Sequence, residues 1–92
     1  MIIGVDIDGT LTNEKEGHDY KKRTPNKKGI EWVNTMYKDN TIVLHTARYI
    51  EDRTVTVRWL RKHKAKYHQI IFGKPRFDMY VGDEVKHPSE LF

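Results

Sequence analysis

Apolar and polar positions alternate along this chain in blocks that change period from one block to the next. Met1-Ile2-Ile3-Gly4-Val5 is a short apolar run that leads into Asp6-Ile7-Asp8-Gly9-Thr10-Leu11-Thr12, as expected of a buried strand closed by a turn. Residues 13–23 are polar and aperiodic, which predicts a loop or short flap beside that strand end. Thr24-Pro25 then suits an N-cap followed by proline at the first helical position. Ile30, Val33, Met36 and Tyr37 recur at helical spacing, giving an amphipathic helix from about Pro25 to Lys38 that stops at Asp39-Asn40. Gly29 inside it weakens helical preference and predicts loose first turns.

Thr41-Ile42-Val43-Leu44-His45 is a second strand-like run, ending at Thr46-Ala47-Arg48. A second helix is expected from Glu51 to Lys64, with Val55, Trp59, Leu60 and His63 inward and Arg53, Arg58, Arg61, Lys62 and Lys64 outward. Gln69 to Phe72 reads as a third strand, broken by Gly73-Lys74-Pro75, and Met79 to Val81 as a fourth, ending at Gly82-Asp83-Glu84. The tail from Val85 to Phe92 has room for one helical turn. Strands alternating with helices predict an α/β domain built on a parallel sheet. Right-handed crossovers then gather functional groups at the carboxyl ends of the strands. Asp6 and Asp8, Thr46, and Asp83 with Glu84 all fall at such ends.

Length and composition narrow this picture. The 92 residues allow one small domain with a single core and no second unit. Charged residues make up 33% and hydrophobic ones 37%, so the surface is heavily solvated. The net charge of +4 favours anionic partners, although the cations are spread widely enough to serve solubility alone. The absence of cysteine excludes disulfides and thiolate-bound zinc. No apolar run reaches membrane-spanning length and the N-terminus lacks the shape of a secretory signal, so a soluble, cytoplasmic protein without membrane contact is expected.

The chemistry is concentrated in the first block. Side chains alternate along a strand, so Asp6 and Asp8 can face the same way, and two carboxylates so placed repel unless a cation or shared proton relieves them. A hairpin turn at Asp8-Gly9 and a calcium-binding loop are the competing readings. The calcium loop fits poorly, because Gly17 stands at its last ligand position. The five histidines lack metal-ligand spacing and are expected to be structural or surface residues.

Asp6-Ile7-Asp8-Gly9-Thr10-Leu11 resembles the first motif of the haloacid dehalogenase (HAD) superfamily of phosphohydrolases. Leu44-His45-Thr46-Ala47-Arg48 is similar to the second motif, Lys74 stands where the third motif's lysine would be, and Gly82-Asp83-Glu84 resembles the fourth. The resemblance implies a minimal Rossmann-like, three-layer α/β/α core with a short, mainly parallel sheet. It implies Asp6 as a carboxylate nucleophile forming an aspartyl-phosphate, and Asp8 as the acid/base group. It implies Mg²⁺ held by Asp6, the carbonyl of Asp8, and Asp83, with Glu84 a further candidate ligand. Gly9, Thr46 and Lys74 would surround the transferring phosphoryl group, and Arg48 would touch a substrate phosphate or solvent. Asp78 is expected to cap the fourth strand.

Two features depart from the family pattern. Only residues 73–78 join the third and fourth strands, where relatives usually carry a helix. Six residues reach ~20 Å when extended, whereas passing two strands takes about 14 Å before the chain also returns to the strand start. No insertion is large enough for a cap domain, which favours an open site or a lid from a second copy in a homo-oligomer. Within the superfamily the Thr46-Ala47-Arg48 ending resembles small phosphatases of capsule and polysaccharide biosynthesis, implying a sugar phosphate as substrate. It is also similar to the phosphatase half of polynucleotide kinase-phosphatases, which implies a nucleotide or nucleic-acid phosphate. A third possibility is a HAD-fold binding module without activity.

Overall fold

The computed structural model describes residues 1–74. Strand β1 spans Ile2–Val5, helix α1 Lys27–Met36, strand β2 Thr41–His45, helix α2 Arg53–Lys62 and strand β3 Gln69–Ile71. The strands form a parallel sheet in the order β1-β2-β3. Val5 lies opposite Leu44, and Leu44 opposite Ile70, so all three carboxyl ends open on one edge. The expected fourth strand at Met79 to Val81, the tail turn, and Asp78, Asp83 and Glu84 lie outside the described residues.

One face of the sheet carries the core. Val5, Ile42 and Leu44 are buried there with Ile7 and Leu11, against Ile30 and Val33 of α1 and Trp59 and Leu60 of α2. Both helices therefore pack on the same side. This follows from the strand order, because two successive right-handed crossovers that step in one direction place their helices on one face. Ile2, 75% exposed, and Ile71 belong to the other face, so the described residues form two layers of the α/β domain and include no cap.

Helix α1 begins two residues later than the pattern predicts. Pro25 is occupied in an antiparallel bridge with Thr12, so the cap falls to Asn26, whose side-chain oxygen accepts from the Gly29 amide. The Asn26 side-chain NH₂ donates to the Thr10 carbonyl at 2.9 Å, fastening the helix start to the turn after β1. Gly29 belongs to this contact and not to a loose first turn: a Cβ there would collide with the Thr10 carbonyl oxygen. Gly29→Ala is thus expected to destabilise the domain by about 1–3 kcal/mol despite its better helix propensity. A denaturant titration in which the alanine variant matches or exceeds the unmutated protein would refute the close approach.

Helix α2 is preceded by a 3-10 turn at Ile50–Asp52 and ends before Lys64, which adopts a left-handed φ of 59°. The Ala65 amide then donates to the Leu60 carbonyl, closing the helix with a non-glycine residue in the left-handed position. Thr56, Trp59 and Leu60 are its buried positions, while Val55 and His63 are only half-buried. Arg53, Arg58, Arg61, Lys62 and Lys64 are all exposed, as the pattern requires.

Candidate active site

The carboxyl edge is built first by the turn after β1. The Ile7 carbonyl accepts from the amides of Thr10, Leu11 and Thr12, which folds the chain tightly as it leaves the sheet. Gly9 makes this possible with a φ of +81°, and its N–H donates to the Glu14 carbonyl at 3.0 Å and to Thr12 Oγ1 at 3.1 Å. Its amide is already engaged in the turn, so Gly9 serves the backbone path here and offers no free donor for a phosphate.

Residues 13–24 form a loop whose two ends are tied together. The Asn13 amide donates to the Thr24 carbonyl at 2.9 Å, and its side chain donates to Thr24 Oγ1 and the Pro25 carbonyl. Glu14 closes the loop from the side, accepting from the Thr24 amide and hydroxyl at 2.7 Å each. Those Thr24 hydrogen bonds, the hydroxyl foremost, hold the Glu14 carboxyl below the usual carboxylate range. A folded-state pKa below the unfolded one stabilises the fold above the unfolded value, near about 4.3, and this contribution is lost as pH falls through the folded value. The Glu14→Gln variant should therefore show a shallower fall in melting temperature below about pH 4 than the unmutated protein. Parallel acid limbs would remove Glu14 from that role.

The loop turns two side chains inward, which its polar composition conceals. Tyr20 is buried, and its ring lies 3.9 Å from the Arg48 guanidinium carbon and 5.4 Å from that of Arg23. Arg23 is buried as well: Nε donates to Asp8 Oδ1 at 3.2 Å, Nη1 to the Glu16 carbonyl and Nη2 to the Gly17 carbonyl. Its own carbonyl accepts from Trp59 Nε1 at 2.9 Å, so the loop is also fastened to α2.

Arg48 completes the clamp on Asp8. Its Nε donates to Oδ2 at 2.9 Å, Nη2 to Oδ1 at 2.6 Å, and Nη1 to Thr56 Oγ1 at 2.9 Å. At 1% exposure it does not lie in solvent, which removes one of its two expected placements. Its fork is committed to Asp8, and the side chain presents no open face to a substrate phosphate. Thr46 is buried at the end of β2, where its hydroxyl accepts from the Arg48 amide at 3.1 Å and orients the turn that carries Arg48.

Lys74 reaches the same edge. The Thr46 amide donates to the Ile71 carbonyl, Gly73 to Arg48 and Lys74 to Thr46, so the chain after β3 runs along the top of β2. From there the lysine needs to cross one strand spacing of ~4.8 Å, well within its side-chain length. Its Nζ donates to Asp6 Oδ1 at 2.8 Å. The short connection after β3 is thus no obstacle to placing this cation beside the first carboxylate.

The two aspartates consequently live in different surroundings. Asp6 is exposed and holds a single side-chain partner among the described residues, whereas Asp8 is enclosed by two guanidinium groups. Three cations surround two carboxylates, giving the cluster a formal charge of +1 before any ligand enters. Among the described residues no three His, Asp or Glu side chains gather to hold a metal. The donors that suit a hard cation are Asp6 and the Asp8 carbonyl, to which no described amide donates, while the Asp8 carboxylate is occupied by the arginines. Asp83 and Glu84, the other expected ligands, lie outside the described residues. Among the histidines, His68 accepts from the Ile42 amide and stacks on Tyr37, and His63 packs on Trp59, where burial pushes its pKa down.

The geometry can be set beside known proteins. No family model matches the chain, and no curated protein does. A crystallised MCSG target protein from Vibrio cholerae superposes with a TM-score of 0.80 at 29% identity, covering 98% of this chain and 85% of its own. Two structures of the Pnkp1/Rnl/Hen1 complex, one of them described as an RNA repair complex, superpose with TM-scores of 0.67 and 0.69. The likeness is one of fold. Identities to those complexes are 19% and 20%, and the aligned part spans 25% and 30% of their chains. No helix among the described residues is long and apolar enough to cross a membrane.

Proposed function

We propose that this protein is a Mg²⁺-dependent phosphomonoester hydrolase that works through an aspartyl-phosphate on Asp6, with a phosphorylated sugar or related metabolite as substrate. The observation that carries this reading is the meeting of Lys74, Asp6, Thr46 and the arginine-clamped Asp8 on one sheet edge. Asp6 is the accessible carboxylate, so it is the one that can approach phosphorus. Lys74, at hydrogen-bond distance, offsets the repulsion between that carboxylate and a phosphate dianion. The Thr46 hydroxyl, whose oxygen already accepts from the Arg48 amide, has its proton left for a phosphoryl oxygen. Asp8, fixed in one orientation, gives a proton to the departing oxygen and later takes one from the hydrolytic water. Mg²⁺, held by Asp6, the Asp8 carbonyl and Asp83, would supply further charge neutralisation and orient the phosphate.

A second reading takes a nucleotide or polynucleotide phosphate as substrate. It is favoured by the exposed cations of α2, none of which has a carboxylate within ion-pair distance among the described residues, and by the fold likeness to the RNA repair complex. A panel of phosphoesters assayed with Mg²⁺ and with chelator tests the main reading; no Mg²⁺-dependent release of phosphate from any of them would overturn it and leave a binding module. A 3′-phosphorylated oligonucleotide compared with sugar phosphates at low and moderate salt separates the two substrates, because backbone binding weakens steeply with salt.

A further inference from the structure

Asp8 is held by more guanidinium than its orientation alone demands. Arg48 by itself makes the planar, two-point contact that fixes a carboxylate. Arg23 adds a third hydrogen bond, and it goes to Oδ1, the oxygen that already accepts from Arg48 Nη2. A carboxylate oxygen has about two in-plane acceptor positions. Oδ1 is therefore full, and Oδ2, with one donor from Arg48 Nε, keeps one position open.

The other end of the Arg23 guanidinium is spent on the loop itself. Nη1 and Nη2 hold the Glu16 and Gly17 carbonyls, and Gly17 takes a φ of +90° in presenting its oxygen. Each nitrogen of the guanidinium thus has an assigned acceptor, two in the loop and one at the site. No other described side chain of the loop forms a hydrogen bond or ion pair with Asp8. Arg23 thus ties the carboxylate of the candidate acid/base group to loop residues 13–24.

We propose that Arg23 is a positioning residue for Asp8: it fills Oδ1, turns Oδ2 toward the reacting phosphoryl group, and makes that arrangement depend on the seated loop. This rests on the phosphohydrolase reading above. In the first step the Asp6–phosphorus bond forms as the bond to the leaving oxygen breaks, and the proton on Asp8 passes to that oxygen. In the second, Asp8 takes a proton from water as the water oxygen bonds to phosphorus and the Asp6–phosphorus bond breaks. A misdirected Asp8 carboxyl harms the first step in proportion to how badly the leaving group needs a proton.

The test uses the full chain with Mg²⁺ and two esters. p-Nitrophenyl phosphate has a leaving group that departs without protonation; a sugar or other alkyl phosphate found by the panel requires it. Arg23→Gln removes the bridge, and Arg23→Lys keeps the charge while lacking the fork that spans Asp8 and the loop. Both variants are expected to lose on the order of 10²-fold in kcat/KM on the alkyl ester and less than about fivefold in kcat/KM on the aryl ester, a ratio that reports the first step and excludes the hydrolysis of the aspartyl-phosphate common to both. Thermal unfolding identifies the folded variant from which the ratio is read, the lysine form being the milder change. Equal losses on both esters, or none on either, would overturn the proposal and leave the phosphohydrolase reading intact. An unmutated protein that hydrolyses neither ester would overturn both.

Discussion

Asp6→Asn is expected to lower phosphomonoester turnover by on the order of 10⁴-fold or more while leaving the unfolding temperature essentially unchanged. The two halves of this expectation have separate physical grounds. An amide matches the carboxylate in shape and keeps a carbonyl oxygen to accept from Lys74, but it is a far poorer nucleophile toward phosphorus. Stability is spared because the Asp6–Lys74 pair is partly solvated, with side-chain exposures of 48% and 34%, and such pairs contribute about 0–1 kcal/mol. Steady-state assays and a thermal melt of the same preparation decide it. Turnover above a tenth of the unmutated rate would mean that some other group attacks phosphorus.

Arg48→Ala should have the opposite profile, with stability as its largest loss. The side chain is 1% exposed and donates to both oxygens of Asp8 and to Thr56, so its removal leaves a mostly buried carboxylate with Arg23 alone as its guanidinium partner and empties the space above the Tyr20 ring. Breaking such a pair from one side costs about 3–5 kcal/mol. For a domain of this size that is a large share of the total, and it corresponds to a melting temperature lower by on the order of 15 °C. Adding Asp8→Asn should recover part of the loss, since the carboxylate that has lost its two-point partner is then neutral. A denaturant titration showing less than about 1 kcal/mol of change would refute the account of Arg48 as the anchor of Asp8.

The two variants separate functions that the sequence places side by side. Asp6 and Asp8 are separated by one residue just beyond the end of β1, yet one remains open to a substrate and the other is enclosed. Local sequence could not distinguish them, because the enclosing groups come from Arg23 and Arg48, which are 15 and 40 residues away from Asp8. The loop shows the same limit. Its polar, aperiodic composition correctly indicates a loop and hides the one tyrosine and one arginine that matter, since a single inward side chain creates no period. A tyrosine three residues before an arginine in an otherwise charged stretch is the one faint signal of an inward pair.

Helix limits shifted for comparable reasons. Thr24-Pro25 is a good start signal, but the bridge between Pro25 and Thr12 fixes the backbone there and passes the cap to Asn26. Gly29 reads as a weakness in the helix and is instead the point where helix and turn meet. Lys74 stands at the start of the short stretch that follows β3, and its side chain covers the last strand spacing to Asp6 by itself.

The order of strands and helices, the parallel sheet, the polar loop and the placement of Asp6, Asp8 and Thr46 at strand ends were all determined by the sequence alone. Each depends on periodicity or on neighbours within a few residues, and alternation of side chains along a strand is fixed by backbone geometry. Only the tertiary structure decided which aspartate is clamped, that Arg48 is buried, that Arg23 belongs to the site and that Lys74 reaches Asp6. These are contacts between segments far apart in the chain, and their formation depends on packing distances and hydrogen-bond capacity that no local pattern encodes.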